Sequence, residues 1–533
     1  MSSIAPAPRR TLAGALVLAA LAGTLVSLAG APFELSFPAF LGPAALHAAI
    51  VVAPRRALWI GLVAGTISNA INTYWVVGLL QTFAGFPLIA ALPVGALLWI
   101  AQSLPFVAAS VWAAGCLRAG ARIWPLPVAL VVAASWMPAI FPWRLGLSQL
   151  PWIEYAQIAE LGGAPLLDLS VALAGVAALE ALRRREVSAS TRVVSRSSAK
   201  AFLIASACIA LPTTYGALRL PSVRAERDGA RALAVGVVQP NVGIFDKHDP
   251  TQHFDHLRLL LAMTRDLEAR GAELVLWPES SYPYPWYRGD DHDRAGALAL
   301  RGEGVRGPIL LGVISTGGAS GIAAAHDREG RMVGAFRMGE GARYNSSLAV
   351  ERDGRVVGIA DKVRLLAFGE YVPFWDYLPP LQERFRRGLT EGRGYQRVEI
   401  AGARVGVLNC YEDILPDYVL DQARAQPELW ANLTNNAWFG DTTAPHLHHF
   451  AARLRAIETR RDLVRAVNTG VSGHVLATGE NGVVTRTFVR DVFIARARLM
   501  RGTTPWVWLG DWVTPLCAGA LIGGALALRR RWS

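Results

Sequence analysis

Of 533 residues, 52% are hydrophobic and only 18% charged. Soluble domains carry about a quarter charged residues, so this deficit excludes a chain solvated along its whole length. The formal charge of +12 invites a nucleic-acid reading, but residues 221–503 hold 36 Lys+Arg against 34 Asp+Glu while the remainder holds 17 against 7. The surplus lies in connections between apolar segments, which is the pattern of membrane topology and not of a phosphate-binding surface.

Crossing the hydrocarbon core takes about 20 apolar residues. Eight segments are candidates: 11–30, 34–53, 57–80, 86–117, 125–141, 164–182, 200–218 and 505–528. Arg9 and Arg10 before the first run resemble the start of a signal peptide, but further apolar segments follow at once in place of a soluble domain. Basic residues mark every second connection: Arg9 and Arg10, Arg55 and Arg56, Arg118 and Arg122, the cluster Arg183, Arg184, Arg185, Arg192, Arg196 and Lys200, and finally Arg529, Arg530 and Arg531. With eight spans, both termini are expected in the cytoplasm and the long loop between the seventh and eighth on the opposite side. Few charges are expected inside the spans. The expected organisation is a membrane domain of about seven transmembrane helices at 1–220, a catalytic domain at 221–503, and a last transmembrane helix with a basic tail at 504–533.

The large polar loop alternates strands and helices. Apolar runs at 232–238, 274–277, 309–314, 404–408 and 429–433 read as short buried strands. Residues 251–270 read as an amphipathic helix stopped by Gly271, and 415–425 and 447–459 as further helices. This predicts an α/β layered domain. Cys116, Cys208 and Cys517 lie in or beside apolar segments, whereas Cys410 is the one cysteine of the polar domain and has no disulfide partner there.

Three segments place chemistry at strand ends: Trp277-Pro278-Glu279, Asp361-Lys362 followed by Phe368-Gly369-Glu370-Tyr371-Val372-Pro373, and Asn409-Cys410-Tyr411-Glu412. A thiol attacks well only once deprotonated, a carboxylate can take its proton, and an ammonium can hold the oxyanion that forms. Glu279, Lys362 and Cys410 together are a complete set for acyl transfer. His446, His448 and His449 lack a cysteine or spaced acidic ligand to complete a zinc site, so no metal is expected. Asp290-Asp291-His292-Asp293 reads as a solvated loop. Tyr282, Tyr284, Trp286 and Tyr287 read equally as turn packing or as an aromatic surface at a lipid interface.

These three segments resemble the nitrilase superfamily. Gly236-Val237-Val238-Gln239, Tyr344-Asn345-Ser346, Asn435-Asn436-Ala437-Trp438-Phe439-Gly440, Arg455-Ala456-Ile457-Glu458, Arg465-Ala466-Val467-Asn468-Thr469-Gly470, and in the membrane part Phe141-Pro142-Trp143 and Ala159-Glu160-Leu161-Gly162-Gly163, resemble its membrane branch, apolipoprotein N-acyltransferase. The resemblance implies a multi-span α-helical membrane domain plus a nitrilase-like α-β-β-α sandwich in a bacterial inner membrane, with the catalytic domain periplasmic and no cofactor. It implies Glu279 as base, Cys410 as nucleophile and Lys362 as oxyanion partner. Glu370 and Glu412 would be supporting carboxylates, and Asn345, Tyr411 and Trp438 would line the site. A phospholipid would give its acyl chain through a Cys410 thioester to the α-amine of a diacylated lipoprotein, and no nucleic acid is implied as a partner. The chain departs from the family pattern at Asn436 in place of Asp, at Leu365-Leu366-Ala367 before the Phe-Gly-Glu, and at His248 where a tryptophan normally follows the lysine. A membrane-tethered amidase or hydrolase, a conjugation-associated nitrilase-like membrane protein, a retired scaffold and a transporter are the competing readings.

Overall fold

The computed structural model describes residues 9–118, 120–188, 196–301, 304–372, 377, 379 and 388–529. Of the positions used above, Arg192, Pro373, Arg530 and Arg531 lie outside the described residues. The chain divides into two compact units. One is Met1–Pro221, Thr442–Phe450 and Trp508–Ser533, and the other is Ser222–Asp441 and Ala451–Val507.

The first unit is helical. By length and composition, three helices among the described residues can cross a membrane: Leu88–Arg118, Ala159–Arg184 and Arg196–Gly229. Pro38–Val52 and Pro54–Thr73 qualify only when taken together, across a bend of 108°. Leu12–Leu28, Pro125–Trp136 and Val513–Ala527 are apolar but shorter. Helix therefore forms in all eight apolar segments, while the expected count of eight full spans is not reached on helix length. Prolines explain part of the shortfall. Pro54 breaks the run after Ala53, and Pro138 stops the helix that ends at Trp136, because a residue before proline is pushed out of the helical region.

Small residues let these helices approach closely. A Cβ on Gly61 would collide with the main chain of Phe106, and one on Gly65 with Ser103. The expected scarcity of charge inside the spans is corrected: helix Ala159–Ser188 buries Glu160, Asp168 and Glu180. Each meets a partner, Arg219 at 2.9 Å, Arg144 at 2.7 Å and His47 at 3.1 Å respectively. Pairing is what makes such burial tolerable.

The second unit contains β1 (Ala232–Gln239), β2 (Leu274–Leu276), β3 (Trp286–Tyr287), β4 (Ile309–Thr316), β5 (Ser320–His326), β6 (Met332–Gly339), β7 (Arg343–Val350), β8 (Val356–Asp361), β9 (Arg397–Ile400), β10 (Ala403–Asn409), β11 (Leu429–Thr434), β12 (Leu463–Val467), β13 (Gly473–Val475), β14 (Asn481–Val484) and β15 (Asp491–Arg498). One sheet runs β15-β1-β2-β4-β7-β8, with β3 beside β4. A second runs β14-β13-β12-β11-β10-β9, and β5 and β6 form a separate hairpin. Within the sheets, β1, β2 and β4 are parallel, as are β10, β11 and β12.

Period-two alternation sorts the side chains. Leu233, Val235 and Val237 of β1 enter one core with Leu274, Val405, Val407, Leu429, Ala431, Leu433 and Val464, which joins the two sheets face to face. Each such large side chain contributes about 1.5–3 kcal/mol when fully buried. Val238, Val275, Leu311 and Val313 point the other way, against Leu257, Leu260, Leu261 and Leu267 of helix His253–Ala269. The outer face of the second sheet packs Leu408, Trp430 and Leu463 on Tyr418, Val419 and Leu420 of helix Pro416–Ala423 and on Ala452 and Ala456 of helix Ala444–Thr459. The result is the expected α-β-β-α sandwich.

Two local readings change. Tyr282, Tyr284 and Trp286 are buried, Tyr282 meets both others edge to face, and Tyr282 and Trp286 pack on the Arg294 guanidinium, so these three are core and not an interfacial surface. Asp293 is not simply solvated: it accepts the N–H groups of Arg294, Leu300 and Arg301 and organises that loop.

Candidate active site

Glu279 follows β2, where Trp277 fixes the strand end. Its N–H donates to Leu310 O at 3.0 Å and its indole to Thr264 Oγ1 at 2.8 Å. The chain then turns through Ser280 at φ +47°. Gly312 on β4 permits this course, because a Cβ there would collide with the main chain of Pro278, Glu279 and Ser280. Lys362 follows β8, its N–H donating to Asn345 O on β7 at 2.7 Å. Cys410 follows β10 at φ +54°, a backbone conformation unfavourable for an L-residue and characteristic of functional turns. A reciprocal cap formed by Asn409 and Glu412 holds that turn.

These strand ends bring the three residues into one buried cluster: Glu279 is 6% exposed, Lys362 2% and Cys410 9%. Lys362 Nζ lies 3.0 Å from Glu279 Oε1 and 2.8 Å from Glu370 Oε2. Asn345 Nδ2 donates to both carboxylates at 2.7 Å. Asn435 N–H donates to Glu279 Oε2 at 3.0 Å. Glu370 also accepts Leu366 N–H at 2.8 Å, which fixes the loop after Lys362.

The charges set each proton. Burial alone would raise the Glu279 carboxyl, but Lys362 and the donated Asn345 bond outweigh it and hold it below the usual range. Burial likewise opposes the Lys362 ammonium, and Glu279 and Glu370 hold it well above its ordinary value. The Cys410 thiol is pushed up by burial and then by the Glu279 charge, against the pull of Lys362 and the Asn435 N–H. The resting site is therefore a protonated thiol beside an ionised carboxylate, with an ammonium fixed between two carboxylates.

The remaining expected residues divide by place. Glu412 acts on the backbone around the cluster. Its carboxylate accepts Val363 and Arg364 N–H at 2.7 and 2.9 Å and Asn409 N–H at 2.8 Å, tying the Lys362 segment to the Cys410 turn. Burial pushes its carboxyl up to about 7 against those bonds. Tyr411 sets its ring 5.4 Å from Lys362 Nζ and donates to Leu365 O at 3.0 Å. Trp438 is half-buried and stands edge to face with His248 at 6.0 Å.

Four residues were not singled out from sequence as site residues. Asn435 acts through its main chain, which no side-chain pattern reports. Arg465 and Asp413 form a fully buried ion pair, Asp413 lying in the Cys410 turn; a charged residue within the apolar β12 run was the available signal. Lys247 Nζ donates to Glu279 O at 2.8 Å, and burial lowers its ammonium to about 8 in spite of Glu279 and Cys410 nearby. Its signal was its place before His248.

Removing one partner of a buried ion cluster costs about 3–5 kcal/mol, because the other charges remain buried and unpaired. Lys362→Met is therefore expected to lower the melting temperature strongly in detergent, and adding Glu370→Gln to it to restore part of the loss. If the double variant melts below Lys362→Met, the carboxylates are not sharing that ammonium.

Residues 22–177 match the family model described as apolipoprotein N-acyltransferase N-terminal domain, and residues 234–489 that described as carbon-nitrogen hydrolase. Apolipoprotein N-acyltransferase of Azotobacter vinelandii is 30% identical, covering 97% of this chain and 95% of the relative. That of Geobacter metallireducens is 28% identical, covering 90% and 88%. An amidase from Nesterenkonia sp. of known structure is 16% identical with a TM-score of 0.35, covering 51% of this chain and 92% of its own. With a buried carboxylate, ammonium and thiol at the strand ends of an α-β-β-α sandwich, an apolar helical unit, and relatives matched along nearly their full length, the chain belongs to the apolipoprotein N-acyltransferase family.

Proposed function

We propose that this enzyme carries an acyl chain from a phospholipid to the α-amine of a diacylated lipoprotein through a thioester on Cys410. The observation that carries the reading is the buried cluster of Glu279, Lys362 and Cys410, with Lys362 held between Glu279 and Glu370, in a chain of this family.

Glu279 takes the Cys410 proton as sulfur attacks the ester carbonyl carbon of the donor. The carbonyl oxygen becomes an oxyanion beside the Lys362 ammonium, which is already in place and needs no reorganisation. Collapse breaks the carbon–oxygen ester bond. The lysophospholipid alkoxide leaves with the proton from Glu279, and the thioester remains. The lipoprotein amine then attacks the thioester carbon, gives its proton to Glu279 and forms the amide as the sulfur leaves and regains a proton. Glu370 and Asn345 position Glu279 and Lys362, and Glu412 positions the Cys410 turn. Tyr411 and Trp438 serve as lining.

The alternation of basic connections supports the membrane orientation in this proposal: residues 221–503 form a periplasmic catalytic domain and both termini lie in the cytoplasm. Incubating the full-length enzyme with acyl-labelled phospholipid and no acceptor is expected to leave label on Cys410, absent from Cys410→Ala, and adding a diacylated lipopeptide to move the label into an amide. Label retained in Cys410→Ala, or discharged only as free fatty acid, contradicts the reaction. For orientation, a cysteine replacing exposed Asp353 is expected to react with a membrane-impermeant maleimide from the periplasmic side. Labelling only after the inner membrane is opened overturns the topology.

A further inference from the structure

Beside the triad, in the same unit, lies a cavity of about 280 Å³ that the mechanism above does not use. Lys247, His248, His253, His256, Arg343 and Ser281 line it, and among the described residues no carboxylate does. Five basic side chains converge there from separate parts of the fold. Lys247 and His248 come from the segment after β1, His253 and His256 from the first turn of the next long helix, and Arg343 from the start of β7. The cavity borders the reacting groups: Lys247 Nζ bonds the Glu279 carbonyl, and Ser280 and Ser281, which follow Glu279 directly, form part of its wall.

Several of these donors are poised for an acceptor. Ser281 Oγ is buried without a hydrogen-bond partner among the described residues. His248 Nδ1 is engaged by Ile244 O at 2.7 Å, which leaves the other ring nitrogen for a ligand. Crowding shows in the titration. Burial lowers both His253 and His256. His253 is lowered further by His248 and supported by the Lys247 carbonyl and Asp249. His256 is lowered further by His253 and Lys247 and supported by Asp246 and Asp255. Of these acids, Asp249 is committed to Thr251 and Gln252.

We propose that this cavity receives the phosphodiester of the acyl donor, so that the donor's one obligatory anion is held by Lys247, the three histidines and Arg343 while its neighbouring ester reaches Cys410. This rests on the phospholipid reading given above. A water occupies about 30 Å³ of liquid, so the space admits a tetrahedral anion with its ester arms. Charge-assisted bonds from Arg343 and Lys247, joined by N–H donors from the histidine rings, suit such an anion, and the acyl ester lies only a glycerol bridge away from it. His248, whose Nδ1 is engaged by Ile244 O, thereby adds a donor to the anion site through its other ring nitrogen.

The test uses full-length enzyme in neutral detergent and two donors with the same acyl chains, a diacylglycerophosphoester and the diacylglycerol that lacks phosphate. Single-turnover loading of Cys410 is expected to favour the phosphoester by about tenfold, and His256→Gln with Arg343→Gln to bring that ratio toward one. In parallel, ring resonances of isotope-labelled histidine are expected to shift with sn-glycero-3-phosphoethanolamine, and less with inorganic phosphate at equal ionic strength. An unchanged donor ratio in the variant, with no histidine shift, overturns the cavity assignment while thioester loading leaves the donor reading standing. Histidine shifts without loading from either donor support an anion site and sink the donor reading instead. Shifts with inorganic phosphate but not with the diester mark a free-phosphate site and overturn the assignment to the lipid.

Discussion

One ammonium shared by two carboxylates organises the site. Lys362 is nearly inaccessible and within 3.0 Å of both Glu279 and Glu370. Desolvating a lysine costs several kcal/mol unless it is paired and its N–H groups are satisfied, so the position is stable only with both acids present. The same arrangement determines reactivity. Lys362 keeps Glu279 ionised, burial first and the Glu279 charge second keep the Cys410 thiol protonated, and in the proposed reaction that proton stays on sulfur until an acyl carbon arrives.

Backbone geometry makes the cluster possible. Glu279, Cys410 and Asn435 follow the ends of the parallel strands β2, β10 and β11, so the chain leaves two packed sheets toward a common edge. Single atoms then fix the remaining freedom. Gly312 leaves room for the main chain at Glu279, Asn345 bridges the two acids, and the Glu412 carboxylate ties the Lys362 and Cys410 segments through backbone N–H groups. Positive φ at Ser280 and Cys410 shows strain held by this network.

The triad, the strands that precede it and the helices at 251–270, 415–425 and 447–459 were legible because each leaves a local mark, an apolar run, a stop at Gly271 or a charged residue after a strand. Partly exposed elements such as β5 and β6 alternate weakly and left none, and β9, which does alternate, is only four residues long. Helix length departs from the eight expected spans because hydrophobicity reports burial in lipid or protein alike, whereas prolines such as Pro54 and Pro138 decide where a helix ends. The aromatic run at 282–287 was ambiguous until Arg294, distant from any pattern in it, was seen packed on the rings. Lys247 and Asn435 act through a carbonyl and an N–H, chemistry that a side-chain motif does not encode.

In the proposed reaction Cys410 rests as a thiol with Glu279 as its base. The direct measurement is the ultraviolet thiolate absorption of the full-length enzyme, taken as the difference from Cys410→Ala across a pH titration. No Cys410 thiolate signal is expected around neutral pH, in the wild type or in Glu279→Gln, and it is expected to appear only well to the alkaline side of an ordinary thiol. A thiolate already present at neutral pH in the wild type would mean that the nucleophile is preformed, and would remove the need for Glu279 as base.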